Sequence, residues 1–215
     1  MDPGVVLNDL ERDALTELVN IGVSHAAASL RKMVGRMVLL SVPAIEIIGH
    51  PDAASLISER ETGELVAVRQ DFSGAFSGRA LLIFPEANGL QLVRAVMGEN
   101  ISAAEAAEME AEALAETGNI ILNGCLGTMA NMLRQPLTMT LPEVFHTKGA
   151  GLFDLERQAA EDGLILFLYI NFSVLDRDLR GYIAMLLDLR SMGALKLLVQ
   201  NFIASVISDD ADALG

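Results

Sequence analysis

Residues 13–21 read Asp-Ala-Leu-Thr-Glu-Leu-Val-Asn-Ile, and residues 112–120 read Glu-Ala-Leu-Ala-Glu-Thr-Gly-Asn-Ile. The second stretch begins 99 positions after the first, and the same shift aligns Pro43 with Pro142. A repeat of this length in a chain of 215 residues indicates a duplicated structural unit. The predicted organisation is one domain over residues 1–215, made of two repeats at about 8–98 and 102–207, with an acidic tail at 208–215.

Both repeats predict the same order of elements. Apolar residues at helical spacing predict the helices, and Ser102 with Glu105 forms a capping-box pattern at one of their starts. Runs of β-branched and aromatic residues joined by short turns predict antiparallel hairpins. Helices are predicted at 8–34, 86–98, 102–134 and 190–207, and strands at 37–48, 64–72, 78–84, 137–147, 163–174 and 180–188.

The predicted fold class is therefore α/β. Two α-β-β-β-α halves, related by a pseudo-two-fold axis, are expected to pair their strands into one mostly antiparallel sheet with flanking helices. The segments between each extended segment and the hairpin that follows it, residues 49–63 and 148–162, are expected to be loops.

Composition limits the possible functions. Hydrophobic residues make up 52% of the chain, which is enough for a packed core and too many for a disordered protein. The formal net charge of −14 disfavours nucleic acid as a partner, because nucleic acid is bound through Lys and Arg. A free phosphorylated metabolite would also be repelled unless a metal or a basic group supplied the counter-charge.

The sequence also predicts where the protein works. Cys125 is the only cysteine, so no intramolecular disulfide can form, and the beginning of the sequence does not resemble a secretory signal. The uncharged apolar run at residues 163–175 is too short to span a bilayer. A cytoplasmic location with no membrane insertion is expected.

The repeated stretch places polar groups on one face of each predicted helix. Asp13, Glu17 and Asn20 are spaced i, i+4 and i+7. The second repeat has Glu112, Glu116 and Asn119 at the corresponding places. A solvated helix face is the simple alternative for one copy. Because Asn is a poor residue inside a helix, its occurrence twice at the same place favours a functional role.

The full pattern resembles the signature of the CheC/CheX/FliY family of chemotaxis phosphatases: Asp or Ser, three residues, Glu, two residues, Asn, twenty-two residues, Pro. Two copies in one chain make the sequence most similar to two-site CheC, although Glu112 stands where Asp or Ser is usual. The resemblance implies a hydrolase that removes the aspartyl phosphate of a CheY-type response regulator in chemotaxis signalling. It implies a catalytic set of Glu17, Asn20, Glu116 and Asn119, in which the two asparagines would position the attacking water. Glu17 and Glu116 would contact a lysine of the regulator, and Asp13 and Glu112 would be binding residues.

No metal or cofactor of the protein's own is expected. His25, His50 and His146 are isolated in the sequence, and no cluster has metal-ligand spacing. In the resemblance, Mg²⁺ is supplied by the phosphorylated partner. Cys125 is expected to be a core thiol, because no histidine is placed beside it by the sequence.

Two other functions stay open from the sequence. The first is a non-catalytic CheC-like interaction module, either a partner of the receptor deamidase CheD or a scaffold like those of the flagellar switch. The second is a hydrolase of small phosphoesters, which the lack of a metal cluster and of basic residues near either motif disfavours.

Overall fold

The computed structural model describes residues 6–35, 37–97, 102–149, 151–154, 164–174 and 177–213. Helices and strands alternate within each repeat. The elements are α1 (Asp9–Val34), β1 (Val38–Ser41), β2 (Ile45–Gly49), α2 (His50–Arg60), β3 (Glu64–Gly74), β4 (Gly78–Pro85), α3 (Glu86–Met97), α4 (Ala103–Glu108), α5 (Glu110–Met132), β5 (Leu137–Met139), β6 (Glu143–Lys148), α6 (Gly151–Asp154), β7 (Leu164–Val174), β8 (Arg177–Leu187) and α7 (Leu189–Ala213).

The predicted fold class is confirmed, and four details differ. The single helix predicted at 102–134 is two helices, α4 and α5, which are separated at Met109. Each predicted extended segment is two strands interrupted near Pro43 or Pro142, because proline has no N–H for the ladder. Helices α2 and α6 occupy segments predicted as loops, and Pro51 in the first turn of α2 was an available helix-start signal. Helix α7 also continues to Ala213, through most of the predicted acidic tail.

The strands of the two repeats are exchanged in one sheet. Its order is β1-β7-β8-β4-β3-β5, with β2 also on β7 and β6 also on β3, and every described pair is antiparallel. Strands β1 and β2 of the first repeat thus pair with the hairpin of the second, and β5 and β6 pair with the hairpin of the first. The register repeats as well, since Leu40 opposite Phe172 corresponds to Met139 opposite Phe72.

Both faces of the sheet are covered. Helices α1, α3, α5 and α7 lie on one face, where Val66 and Val68 of β3 join the larger core cluster. Helices α2 and α6 lie on the other, where Leu65 and Ala67 join a smaller cluster. Burial on both faces explains why the hairpin strands are continuous apolar runs rather than alternating ones.

Helices α1 and α5 carry the repeated motif and touch at two glycines. A Cβ atom built at Gly22 would lie 2.8 Å from the Cα of Cys125, and one built at Gly124 would lie 2.8 Å from the Cβ of Ala26. The absence of side chains at these positions lets the two backbones approach closely. This contact fixes the two motif helices relative to each other.

One described segment, Leu189–Ser208 in α7, has the length and apolar composition of a membrane span. Its residues Met192, Leu195 and Val199 are buried in the larger core cluster. The Lys196 ammonium donates a hydrogen bond to the carbonyl oxygen of Val6. We therefore interpret α7 as a helix that packs on the core.

The glycine contact predicts opposite effects for two Gly-to-Ala changes. Gly22→Ala should lower the free energy of unfolding by about 1–3 kcal/mol, because its methyl group meets the backbone of α5. Gly127→Ala in α5 should raise it by up to about 1 kcal/mol, since nothing lies within 4 Å and alanine favours the helix. Urea unfolding of both variants tests the packing, and equal effects would contradict it.

Candidate functional site

The six predicted site residues lie on α1 and α5 as expected. Asp13 and Glu17 on α1 are exposed, and so are Glu112 and Glu116 on α5. Asn20 and Asn119 are partly buried, and each hydrogen-bonds to a residue outside its own helix. The helices therefore hold two separate groups, each with exposed carboxylates and a more enclosed amide. The six residues with their placement are Asp13, Glu17 and Asn20 on α1, and Glu112, Glu116 and Asn119 on α5.

Asn20 is bound to the backbone next to the proline of its own repeat. Its Nδ2 donates to the carbonyl oxygen of Val42 at 3.1 Å, and its Oδ1 accepts from the N–H of Val42 at 2.9 Å. Val42 is 2% exposed, so both of its backbone groups would otherwise be buried without partners. The spacing from Asn20 to Pro43 thus has a structural explanation: the amide hydrogen-bonds both backbone groups of the residue just before the proline.

Asn119 has a different set of partners. Its Oδ1 accepts from Nε2 of Gln70 at 3.2 Å and from Nδ2 of Asn123 at 2.7 Å. The same Gln70 nitrogen donates to the carbonyl oxygen of Thr140 at 2.8 Å. Within the part of the chain that the structure describes, Nδ2 of Asn119 has no hydrogen-bond partner. Its two N–H donors are thus available to a ligand or to water.

The orientation of these amides follows from one backbone group. The Thr140 carbonyl can only accept, so the Gln70 atom that faces it must be nitrogen. The second hydrogen of that nitrogen needs an acceptor, so the Asn119 atom that faces it is the oxygen Oδ1. The Asn123 atom that faces the same oxygen must be a donor, so it is the nitrogen Nδ2. This series of hydrogen bonds is here called the amide ladder, and Gln70, its member on β3, is buried.

Sequence differences between the repeats explain why the two amides differ. Ile170 occupies the place on β7 that Gln70 occupies on β3, so Asn20 has no polar partner on the sheet. Gly118 precedes Asn119, and a Cβ there would lie 2.5 Å from a methyl group of Val68, so α5 sits very close to β3. Leu141, the counterpart of Val42, is 86% exposed rather than clamped.

Gln70 is a site residue that the sequence reasoning missed. It lies in a strand, 49 positions before Asn119, and only the pairing of β3 with β5 brings it beside Thr140 and α5. One signal was available in the sequence. A glutamine in the apolar strand of one repeat, where the other repeat has isoleucine, is a polar residue that needs a buried partner.

The remaining candidate residues do not form a catalytic or metal-binding group. Burial raises the pKa of the Cys125 thiol to about 12, as expected for a core thiol. His25 lies 3.2 Å from the Thr128 hydroxyl, and His146 lies 3.7 Å from Glu110. Among the described residues, no three His, Cys, Asp or Glu side chains are grouped so that they could hold a metal ion.

Comparison with known proteins confirms the resemblance found in the sequence. The family model for the chemotaxis phosphatase CheX matches residues 66–164, and that for the CheC-like family matches residues 10–47. The CheY-P phosphatase CheC of Bacillus subtilis (strain 168) is 23% identical over 190 residues, which cover 85% of this chain and 90% of CheC. The flagellar motor switch phosphatase FliY of the same organism is 23% identical over 140 residues, 64% of this chain but only 36% of FliY.

The fold is similar to that of a solved structure. The crystal structure of Thermotoga maritima FliY matches 92% of this chain and 99% of the FliY chain, with a TM-score of 0.71 and 16% identity. At that identity the match establishes the fold alone.

The contrast between the two amides predicts unequal effects on stability. Asn20→Ala should lower the free energy of unfolding by about 2–4 kcal/mol, because it leaves two buried backbone groups of Val42 unpaired. Asn119→Ala should cost about 1 kcal/mol, since Gln70 keeps its bond to Thr140. Urea unfolding of the two variants measures the difference. Equal losses would contradict the clamp at Val42.

Proposed function

We propose that this chain, a relative of the CheC, CheX and FliY chemotaxis phosphatases, hydrolyses the aspartyl phosphate of a CheY-type response regulator. The observation that carries the proposal is the Asn119 amide beside the exposed Glu116: the amide ladder holds its Oδ1, and its Nδ2 has no hydrogen-bond partner among the described residues. Water attacks phosphorus, the P–O bond to the regulator's aspartate breaks, and inorganic phosphate and a free carboxylate result.

The amide would act by positioning. Phosphoryl transfer passes through a loose transition state, so a correctly placed nucleophile supplies much of what the protein must add. The two N–H groups of Asn119 can donate to the oxygen of a water and to a phosphoryl oxygen. Because Oδ1 is already occupied by Gln70 and Asn123, the side chain does not need to reorganise before it donates.

The regulator would dock on groups around this amide. Glu116 lies one turn before Asn119 and is free to pair with a lysine of the regulator, and Glu112 lies a further turn away on the same face. Leu141, which follows the Thr140 carbonyl of the ladder, offers an apolar contact. The first motif, Asp13, Glu17 and Asn20, would be the weaker site, because the Asn20 amide is already engaged by Val42.

The Mg²⁺ that such a reaction uses would arrive with the regulator. Each motif contributes exposed carboxylates and one amide, whereas Mg²⁺ needs an octahedral set of oxygen ligands. The ion would neutralise charge on the phosphoryl group when the complex forms. A cytoplasmic location and CheD as a second partner stay predictions from the sequence.

The non-catalytic interaction module is the second candidate function. The amide of Asn20 is used within the fold, and the relationship to a flagellar switch protein is compatible with a scaffold. The two functions differ in one measurable result. A scaffold would bind a phosphorylated regulator without increasing the release of phosphate.

The activity prediction concerns Asn119. A CheY-type regulator loaded with acetyl phosphate and Mg²⁺ should release phosphate faster with the protein than alone. Asn119→Ala should lower kcat by about a hundredfold, equivalent to about 3 kcal/mol of transition-state stabilisation. Asn20→Ala, assayed at a temperature at which it is folded, should keep most of the activity. A wild-type protein that adds nothing to the regulator's own rate would refute the function, and equal losses in both variants would refute the unequal sites.

A second activity prediction concerns Gln70. Gln70→Leu should fold, because the other repeat accommodates Ile170 at the same place, and it should lower kcat about tenfold with little change in KM. If Gln70 acts only through the Asn119 amide, it should cause no further loss in Asn119→Ala. The two single variants and the double variant are measured with the same regulator. An undiminished Gln70 effect in the double variant would show a role independent of Asn119.

A further inference from the structure

One ion pair of the first repeat is missing from the second. Asp71 and Arg79 face each other across β3 and β4, where Nε of Arg79 donates to Oδ1 at 2.5 Å and Nη2 donates to Oδ2 at 3.1 Å. The corresponding cross-strand pair of β7 and β8 is Asn171 with Arg180. The carboxylate is replaced by an amide. Within the described residues, the guanidinium of Arg180 has no ion-pair partner.

Arg180 faces open space at the junction of two cavities. Cavities of about 580 and 520 Å³ adjoin there and share Asn171 and Arg180 in their walls. The larger one has a volume in the range of small-molecule sites. Its wall combines the segment after the first motif with the end of α2 and the hairpin of the second repeat. Those residues are Pro43, Ala44, Glu46, Arg60, Glu61 and Tyr169, followed by Ile170, Asn171, Arg180, Gly181 and Tyr182.

A second guanidinium lines the larger cavity. The Cζ atom of Arg60 lies 4.5 Å from the centre of the Tyr169 ring, a cation–π contact that fixes the side chain. No carboxylate among the described residues forms an ion pair with Arg60. Arg60 and Arg180 are thus two cationic groups of one cavity, neither of which is neutralised by a direct ion pair.

The two carboxylates of the cavity are directed to tyrosines. The Tyr169 hydroxyl donates to Glu46 at 2.9 Å, and the Tyr182 hydroxyl donates to Glu61 at 2.5 Å. Burial, and then the hydrogen bond to Glu61, raise the pKa of Tyr182, so the hydroxyl stays a donor at neutral pH. Each carboxylate thus accepts from a tyrosine, and among the described residues neither forms an ion pair with Arg60 or Arg180.

We propose that this cavity binds a small ligand that carries a phosphate or carboxylate group, with Arg60 and Arg180 as its cationic contacts and Asn171 as a neutral donor. Guanidinium groups match the planar arrangement of such oxygens. Pro43, Ala44 and Ile170 provide an apolar wall for the rest of the molecule. The net charge of −14 would repel a free anion, but the two guanidiniums supply the local counter-charge, and distant charges are screened beyond about 10 Å in salt.

The site is separate from the motif amides but close to one of them along the chain. Pro43 in the cavity wall follows Val42, whose backbone is clamped by Asn20 on the helix side of the sheet. The proposal concerns binding to the isolated protein, so it does not depend on any activity toward a response regulator.

The test uses isothermal titration calorimetry on the full chain with four probes: adenosine monophosphate, adenosine, inorganic phosphate and benzoate. Adenosine monophosphate should bind at least tenfold more tightly than adenosine if the anionic group is recognised. Its comparison with inorganic phosphate reports the contribution of the apolar wall, and benzoate reports whether a carboxylate suffices. Failure of all three anionic probes to bind at about 1 mM would overturn the proposal.

The decisive variant restores the pair of the other repeat. Asn171→Asp places a carboxylate opposite Arg180, as Asp71 stands opposite Arg79, and should weaken binding of the anionic probe at least tenfold. Arg180→Gln should weaken it by a similar factor, whereas Asn171→Ala, which adds no charge, should weaken it less than threefold. Glu46→Gln keeps an acceptor for Tyr169 and should strengthen binding.

Matched controls separate this site from general charge effects. Asp71→Asn changes the net charge in the first repeat only. The affinity of the cavity lined by Arg60 and Arg180, here called the Arg180 cavity, should stay within twofold of the wild-type value. Thermal unfolding of each variant identifies any that is not folded, and Asn171→Asp, at an exposed position, keeps the test available if Arg180→Gln is unstable. Equal affinity of the wild type and Asn171→Asp for the best-binding probe would overturn the assignment.

Discussion

Each repeat completes the sheet of the other, and the rest of the structure depends on this exchange of strands. Strands β1 and β2 cover the edge of the second hairpin, while β5 and β6 cover the edge of the first. Without the exchange, β3 and β7 would present long unpaired apolar edges, which favour aggregation. The exchange also brings residues of the two repeats together. The amide ladder joins Gln70 of one repeat to Asn119 of the other, and the Arg180 cavity places Pro43 of the first repeat beside the second hairpin.

The two repeats have diverged at neighbouring positions with different consequences. Gln70 and Asp71 in β3 correspond to Ile170 and Asn171 in β7. Successive residues of a strand point to opposite faces, so the first change acts on the helix side and the second on the side of α2. On the helix side, glutamine provides the donor that orients Asn119. On the other side, asparagine removes the carboxylate that would neutralise Arg180. Substitutions at corresponding positions of the two hairpins thus give the fold both an oriented amide and an open cationic cavity.

Much of this architecture could be predicted from the sequence because its signals are local. Apolar periodicity identified the long helices, and β-branched runs identified the hairpin strands within a few residues of their observed bounds. The 99-residue repeat predicted the pseudo-symmetry. Helix α2 was missed because eleven residues with few apolar positions look like a loop, despite Pro51 near its start. The exchange of strands was not predictable, because pairing partners far apart in sequence leave no periodic signal.

The motif alone does not determine the roles of the two asparagines in the candidate site. The spacing of Glu, Asn and Pro is the same in both repeats, yet Asn20 binds the backbone of Val42, while Nδ2 of Asn119 has no partner among the described residues. A motif records residue types, and an amide is equally suited to a backbone clamp and to holding a water, since it carries both a donor and an acceptor. What separates the two roles is the direction of the amide. That direction is set by the Thr140 carbonyl through Gln70, a residue outside the motif, so the chemistry available to Asn119 depends on the strand beneath it as much as on its own helix.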